Sequence, residues 1–91
     1  MPELRKNTER HRYEAVQDGQ VQGYAVYRDV GGAVELPHTV VEPAYGGQGV
    51  ASAIVRFALD DIQASGQRVI PACEFVAGYI QRHPQYASLV A

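Results

Sequence analysis

The sequence predicts a small α/β (α+β) domain, a mostly antiparallel four-stranded sheet with the order β-β-β-α-β-α and two main helices. Three observations carry this. Residues 12–41 show period-two apolar alternation interrupted by glycine turns, the pattern of an antiparallel meander. Residues 48–65 and 73–83 switch to helical spacing. Between those two stretches lies a short apolar run ending in proline, long enough for one strand.

Taken in order, Met1–Glu9 is polar, and residues 1–11 read as a disordered leader ahead of a single domain over 12–91. Arg12–Gln17 alternates weakly and meets Asp18-Gly19, a hairpin signal. Gln20–Arg28 alternates well and ends at the turn Asp29-Val30-Gly31-Gly32. Ala33–Val41 is the third strand, with Val34, Leu36, His38 and Val40 expected on one face. In the first helix Ile54, Phe57, Ala58 and Ile62 form a stripe that Ala51 and Val55 extend, and Gly66 terminates it. Arg68–Ala72 is the fourth strand. Joined to the third through a helix, it can lie parallel to it with a right-handed crossover. In the second helix Phe75, Val76, Tyr79, Ile80 and His83 share a stripe, and Pro84 stops it. Gln85–Ala91 is a tail with room for one more turn.

Composition excludes several functions. A net charge of −2 leaves no nucleic-acid or membrane footprint, although Arg5, Lys6, Arg10 and Arg12 crowd the first twelve positions. That cluster reads as a solvated leader ahead of a patch for an acidic partner. No apolar run spans a bilayer. The single cysteine, Cys73, suits a reducing cytoplasm, and with three scattered histidines it makes no zinc spacing, so no metal is expected.

Chemistry concentrates between Pro37 and Ala53. A strand ends, Glu42–Tyr45 turns with Pro43 blocking further ladder pairing, and Gly46-Gly47-Gln48-Gly49 opens a long helix. Such a junction leaves backbone N–H groups unpaired at the positive end of a helix dipole, where a phosphate binds. Glycine lets the anion reach the backbone. A purely structural tight turn is the alternative. The dinucleotide fingerprint fails because its third glycine falls on Ser52, and the Walker Gly-Lys-Ser/Thr is absent.

The strand, the turn Gly-Gly-Gln-Gly-Val-Ala and the long helix resemble the acetyl-CoA motif of the GNAT superfamily of N-acetyltransferases, written R/Q-x-x-G-x-G/A. Gly49-Val50-Ala51 supplies its second half, while Gly46 stands where Arg or Gln is usual. His38-Thr39, the segment 69–75 and the segment 79–86 extend the likeness to the minimal, single-domain GNAT-like branch related to the bacterial YjdJ protein, over about Tyr13 to Tyr86. The resemblance implies acetyl-CoA as acetyl donor. Its pyrophosphate would lie on Gly46, Gly47, Gln48, Gly49, Val50, Ala51 and Ser52, and its pantetheine arm near Val40 and Val41. It also implies transfer to an amine, small molecule or protein, that the sequence does not name. The elements with which larger members grip the acceptor are missing. A non-catalytic CoA-binding or protein-interaction module with the same fold is the rival reading.

Cys73, at a helix start after Pro71, is the candidate to take the acetyl group, since a helix N-terminus favours thiolate; Glu74 opposes it. Its alternative is a buried, inert cysteine. His38 is the candidate base for the amine or for Cys73, against a role as a hydrogen-bonded core histidine. Glu42 is the second candidate base, through a water, against a solvated loop charge. Arg82 and His83 read as a helix cap, Tyr45 as a staple for the turn, and Phe75 and Tyr79 as core or as walls for the pantetheine.

Overall fold

A computed structural model describes residues 2–91. Its strands are β1 (Glu3–Asn7), β2 (Arg12–Gln17), β3 (Gln20–Val30), β4 (Ala33–Val41) and β5 (Arg68–Ile70), and its helices α1 (Val50–Ala64) and α2 (Glu74–Arg82). Two 3-10 segments, Pro43–Tyr45 and Pro84–Leu89, complete it. The five strands lie in the order β1-β2-β3-β4-β5. The first four run antiparallel, and β5 joins β4 in parallel through α1. The sheet is therefore five-stranded and mixed, where the sequence pattern predicted four strands.

The extra strand comes from the segment expected to be a disordered leader. Glu3–Asn7 pairs with Val16–Arg12, residue for residue. Two of the basic residues in the first twelve positions are tied to a buried partner. Arg5 and Arg12 donate to the Glu14 carboxylate together with Asn7, on a glutamate whose side chain is 1% exposed. Lys6 reaches the opposite face, 5.1 Å from the Tyr27 ring centre and 3.3 Å from Asp61 of α1. Residue 1 lies outside the described residues. At the other end, the tail adds a bridge of Val90 to Val69 along the free edge of β5.

One sheet face carries the core. Tyr13, Ala15, Ala25 and Leu36 are fully covered by Ile54, Val55, Ala58, Leu59 and Ile62 of α1 and by Val76 of α2. The Tyr13 hydroxyl donates to Asp61 and that of Tyr86 to Asp60, tying β2 and the last 3-10 segment to α1. The Tyr86 hydroxyl is pushed up to about 12, first by burial and then by Asp60. As expected for a cap, His83 Nδ1 donates to the Tyr79 carbonyl at 2.8 Å.

The decisive irregularity is in β4. Val26 pairs with His38, yet Arg28 pairs with Glu35, so β4 advances three residues while β3 advances two. The extra residue sits at Leu36–Pro37, where proline is tolerated because the ladder is already broken. An inserted residue reverses the alternation. Val34 and Leu36 face the core, but beyond the bulge Thr39, paired with Ala25, faces it. His38 and Val40 turn to the helix-free face and are exposed. The expectation that Val34, Leu36, His38 and Val40 share one face is thereby corrected.

Burial of Glu14 has a pH consequence. Burial alone would raise its pKa, but the hydrogen bonds from Arg12, Arg5 and Asn7 outweigh that and hold it below the usual glutamate value. A group whose pKa is lowered on folding stabilises the fold above its unfolded pKa, and that contribution disappears as pH falls through the folded one. Glu14→Gln should cost about 2 kcal/mol at neutral pH and flatten the acid limb of the stability–pH curve, as chemical denaturation from pH 7 down to pH 3 would report.

Candidate functional site

The bulge also decides where β4 and β5 part. Their pairing covers only Ala33–Glu35 with Arg68–Ile70. The chain then leaves the sheet through Pro71, and the Cys73 N–H donates to Leu36 O at 3.1 Å. Beyond that bond, residues 38–41 have no strand on their outer side among the described residues. The start of α2 therefore lies beside an open stretch of β4 edge.

Cys73 is the N-cap of α2, in extended conformation (φ −95°, ψ 134°). Its Sγ lies 3.7 Å from Thr39 Oγ1. Burial on its own would raise the thiol pKa. The Val76 N–H, the Thr39 hydroxyl and the Phe75 N–H outweigh that and bring it below the ordinary cysteine value. Thr39 is the residue to which the sequence pattern attaches no role. The signal that would have found it is its alternation with Val41, legible only once the bulge is known. His38, one residue earlier, faces the other side of the sheet. The partner of Cys73 is Thr39, and no His38–Cys73 pair forms.

The glycine turn follows the end of β4. The Glu42 N–H donates to Gln22 O, and the Tyr45 hydroxyl reaches Gln20 Oε1 at 3.3 Å, so the 3-10 segment Pro43–Tyr45 is stapled to the β2–β3 hairpin. Gly46 spends its N–H on Pro43 O at 3.3 Å. The next N–H to find a backbone acceptor is that of Ala53, which donates to Gly49 O. The N–H groups from Gly47 to Ser52 are thus left at the positive end of a 15-residue helix. Gly47 and Gly49 both have φ 77°, a left-handed conformation that side chains oppose, and an added Cβ would meet no atom at either. Their requirement for glycine is conformational.

A cleft of about 330 Å³ lies against this turn. Val41, Gly46, Gly47, Gly49, Val50, Ala51 and Ser52 line it, with Tyr45 and with Phe75 of α2. Of the residues expected to hold the donor, Val40 is 38% exposed on the other sheet face, and Gln48 points into a second cleft. Val41 and Thr39 are neighbours on one face of β4, about 7 Å apart along the strand. Val41 and Phe75 in the cleft wall each lie two residues from the Thr39–Cys73 pair. Glu42 is exposed. Among the described residues no cluster of three or more His, Cys, Asp or Glu could hold a metal ion, and no helix is long and apolar enough to cross a membrane.

Residues 12–89 match the family described as GCN5-related N-acetyl-transferase. The chain belongs to that family. Its fold is similar to the NMR solution structure of a GCN5-like candidate N-acetyltransferase from Staphylococcus aureus, with a TM-score of 0.75. That likeness covers 98% of this chain and 87% of the other at 18% identity. A sequence search of curated proteins gives no match.

The Thr39 contact predicts a chemical difference. Thr39→Val keeps the side-chain shape and removes the hydroxyl, so the Cys73 pKa should rise. Alkylation by iodoacetamide at pH 7 should slow by roughly threefold. A pH–rate titration of alkylation reads the shift directly.

Proposed function

We propose that this domain binds acetyl-CoA and transfers the acetyl group to an amine, as a member of the minimal, single-domain branch of its family. The observation that carries the reading is the cleft over the unpaired N–H groups of Gly47–Ser52, walled by Val41 and Phe75, each two residues along its element from the Thr39–Cys73 pair. The N–H groups suit the pyrophosphate, and Val41 and Phe75 suit the pantetheine arm. The thioester then comes to the bare edge of β4, where backbone N–H groups can stabilise an oxyanion.

The lowered pKa of Cys73 favours a two-step route. The Cys73 thiolate attacks the acetyl carbonyl, a new C–S bond forms, and the CoA thiolate leaves and takes up a proton. The amine nitrogen then attacks the acetyl-Cys73 carbonyl. The nitrogen loses its proton, the amide forms, and the Cys73 thiolate is restored. His38 stands on the helix-free face of the same strand, away from Cys73, and is the candidate base for direct transfer to an amine at the bare edge of β4.

Acetyl-CoA alone should add one acetyl mass to the protein, and neutral hydroxylamine should remove it. Cys73→Ala should abolish that labile adduct. An absent adduct, or a hydroxylamine-stable one on an amine, leaves direct transfer to the acceptor as the route. Gly49→Val should weaken CoA binding more than tenfold, beyond about 1.4 kcal/mol, while thermal unfolding stays cooperative; calorimetry with unchanged affinity would remove the glycine turn from the site. CoA that binds without turnover on any amine would make this a binding module. His38→Ala should lower the transfer rate at saturating acetyl-CoA, and an unaltered rate would leave His38 without a catalytic part.

A further inference from the structure

β1 ends the sheet, and among the described residues no strand pairs with its outer side. It also lies outside residues 12–89, the part that matches the family. Hydrogen-bond phase fixes which groups it exposes. The Tyr27 N–H donates to His11 O, so Tyr13 and Ala15, in step with His11, spend their backbone groups on β3. Arg12, Glu14 and Val16 therefore bond to β1, through Asn7, Arg5 and Glu3. The outer edge keeps the N–H and C=O groups of Leu4 and Lys6, with the Pro2 carbonyl beside them. Such an edge is a template for another strand. We propose that β1 pairs antiparallel with β1 of a second copy, about a two-fold axis at Leu4, joining two five-stranded sheets into one.

The side chains select that axis. Leu4 packs at the margin of the core and Lys6 lies over Tyr13 and Tyr27, so both stand on the α1 face. Arg5 and Asn7 reach Glu14 on the other face, and alternation puts Glu3 with them. Residues opposed across an antiparallel pair share a face, so the axis must pass through a residue and not between two. At Glu3 it would oppose two carboxylates, at Arg5 two guanidiniums and at Lys6 two ammoniums, all of which repel. At Leu4 it opposes leucine to leucine on the α1 face, and Glu3 to the partner's Arg5 twice on the other. Leu4 then exchanges N–H and C=O bonds with the partner's Leu4, and the Lys6 N–H donates to the partner's Pro2 carbonyl. Charges on an edge often prevent such pairing. Here they are drawn back along the sheet, Lys6 to Asp61 at 3.3 Å and Arg5 to Glu14 at 2.9 Å. The Arg5 side chain is still half exposed, so its guanidinium can take a second carboxylate. Pro2 and Leu4 also wall, with Gln17 and Gln22, the cleft of about 410 Å³ beside the first turn of α1, so the seam borders that cleft.

Sedimentation equilibrium of the full chain tests this. The seam is short, so the dimer is weak and concentration-dependent. The mass should rise from 9.9 kDa towards twice that value as concentration increases. Glu3→Arg sets a cation against the partner's Arg5 at an exposed position that folding tolerates. It should weaken association about tenfold at low salt, and the gap to the parent should narrow at high salt. The axis itself is read by oxidation in a Cys73→Ala background. Opposed Leu4 Cα atoms stand about 5.5 Å apart, within disulfide reach, whereas the two Lys6 positions stand about 14 Å apart along the seam. Leu4→Cys should therefore form a linked dimer and Lys6→Cys should not. A parent that stays monomeric up to about 1 mM overturns the proposal. So does a dimer that Glu3→Arg leaves unchanged, or one that links through Lys6→Cys in preference to Leu4→Cys. If Leu4→Cys does not fold, the response to Glu3→Arg decides alone.

Discussion

The residue inserted into β4 at Leu36–Pro37 is the constraint on which the site depends. A regular β4 would continue the face of Val34 and Leu36 through His38 and Val40, and would present Thr39 and Val41 to solvent. The insertion reverses this. It places Thr39 beside Cys73 and Val41 beside the glycine turn on the helix-covered face. It also coincides with the end of β4–β5 pairing, since Leu36 O bonds to the N–H of Cys73 where the regular ladder has stopped. Proline at position 37 has no N–H to lose, so the break costs the chain little at that point.

The opposite edge of the sheet is held by a different device. A glutamate taken wholly out of water is costly unless its charge is met by well-placed partners. Glu14 is met by two arginines and an asparagine, and two of these three, Arg5 and Asn7, lie on β1. Docking of β1 thus satisfies the Glu14 carboxylate, and the carboxylate in turn holds β1. Without that strand Leu4 would leave the core margin, and the second cleft would lose one wall. The edge that looks furthest from the chemistry therefore helps to shape the surface on both sides of the glycine turn.

Much of the fold was legible because it rests on local rules. Asp18-Gly19 closes a hairpin with both residues at positive φ, and Gln17 pairs with Gln20 as that turn demands. The stripe through Ile54, Ala58 and Ile62 is buried as its period requires, and Pro84 ends α2 at Arg82. The strand–glycine–helix junction falls where the residues put it, because positive φ at Gly47 and Gly49 is a property of the residue type. β1 was not legible. Its charges read as solvated until their partners, Glu14 and Asp61, are known, and Asp61 is more than fifty residues away in the chain.

The sequence by itself determined the periodicities, the turns and the presence of a glycine-rich helix start. Each depends on contacts within a few residues, which composition and spacing encode directly. Tertiary structure alone decided the sheet register. A single inserted residue carries no signature in alternation, yet it exchanges the sheet faces of His38 and Thr39. It likewise decided that Gln48 lines a different cleft from Gly47, with Gly49 on the rim of both, and that Gln17 and Gln22 line that cleft together. Those outcomes depend on which strand lies opposite which, and cross-strand packing settles that only when the whole sheet has closed on α1.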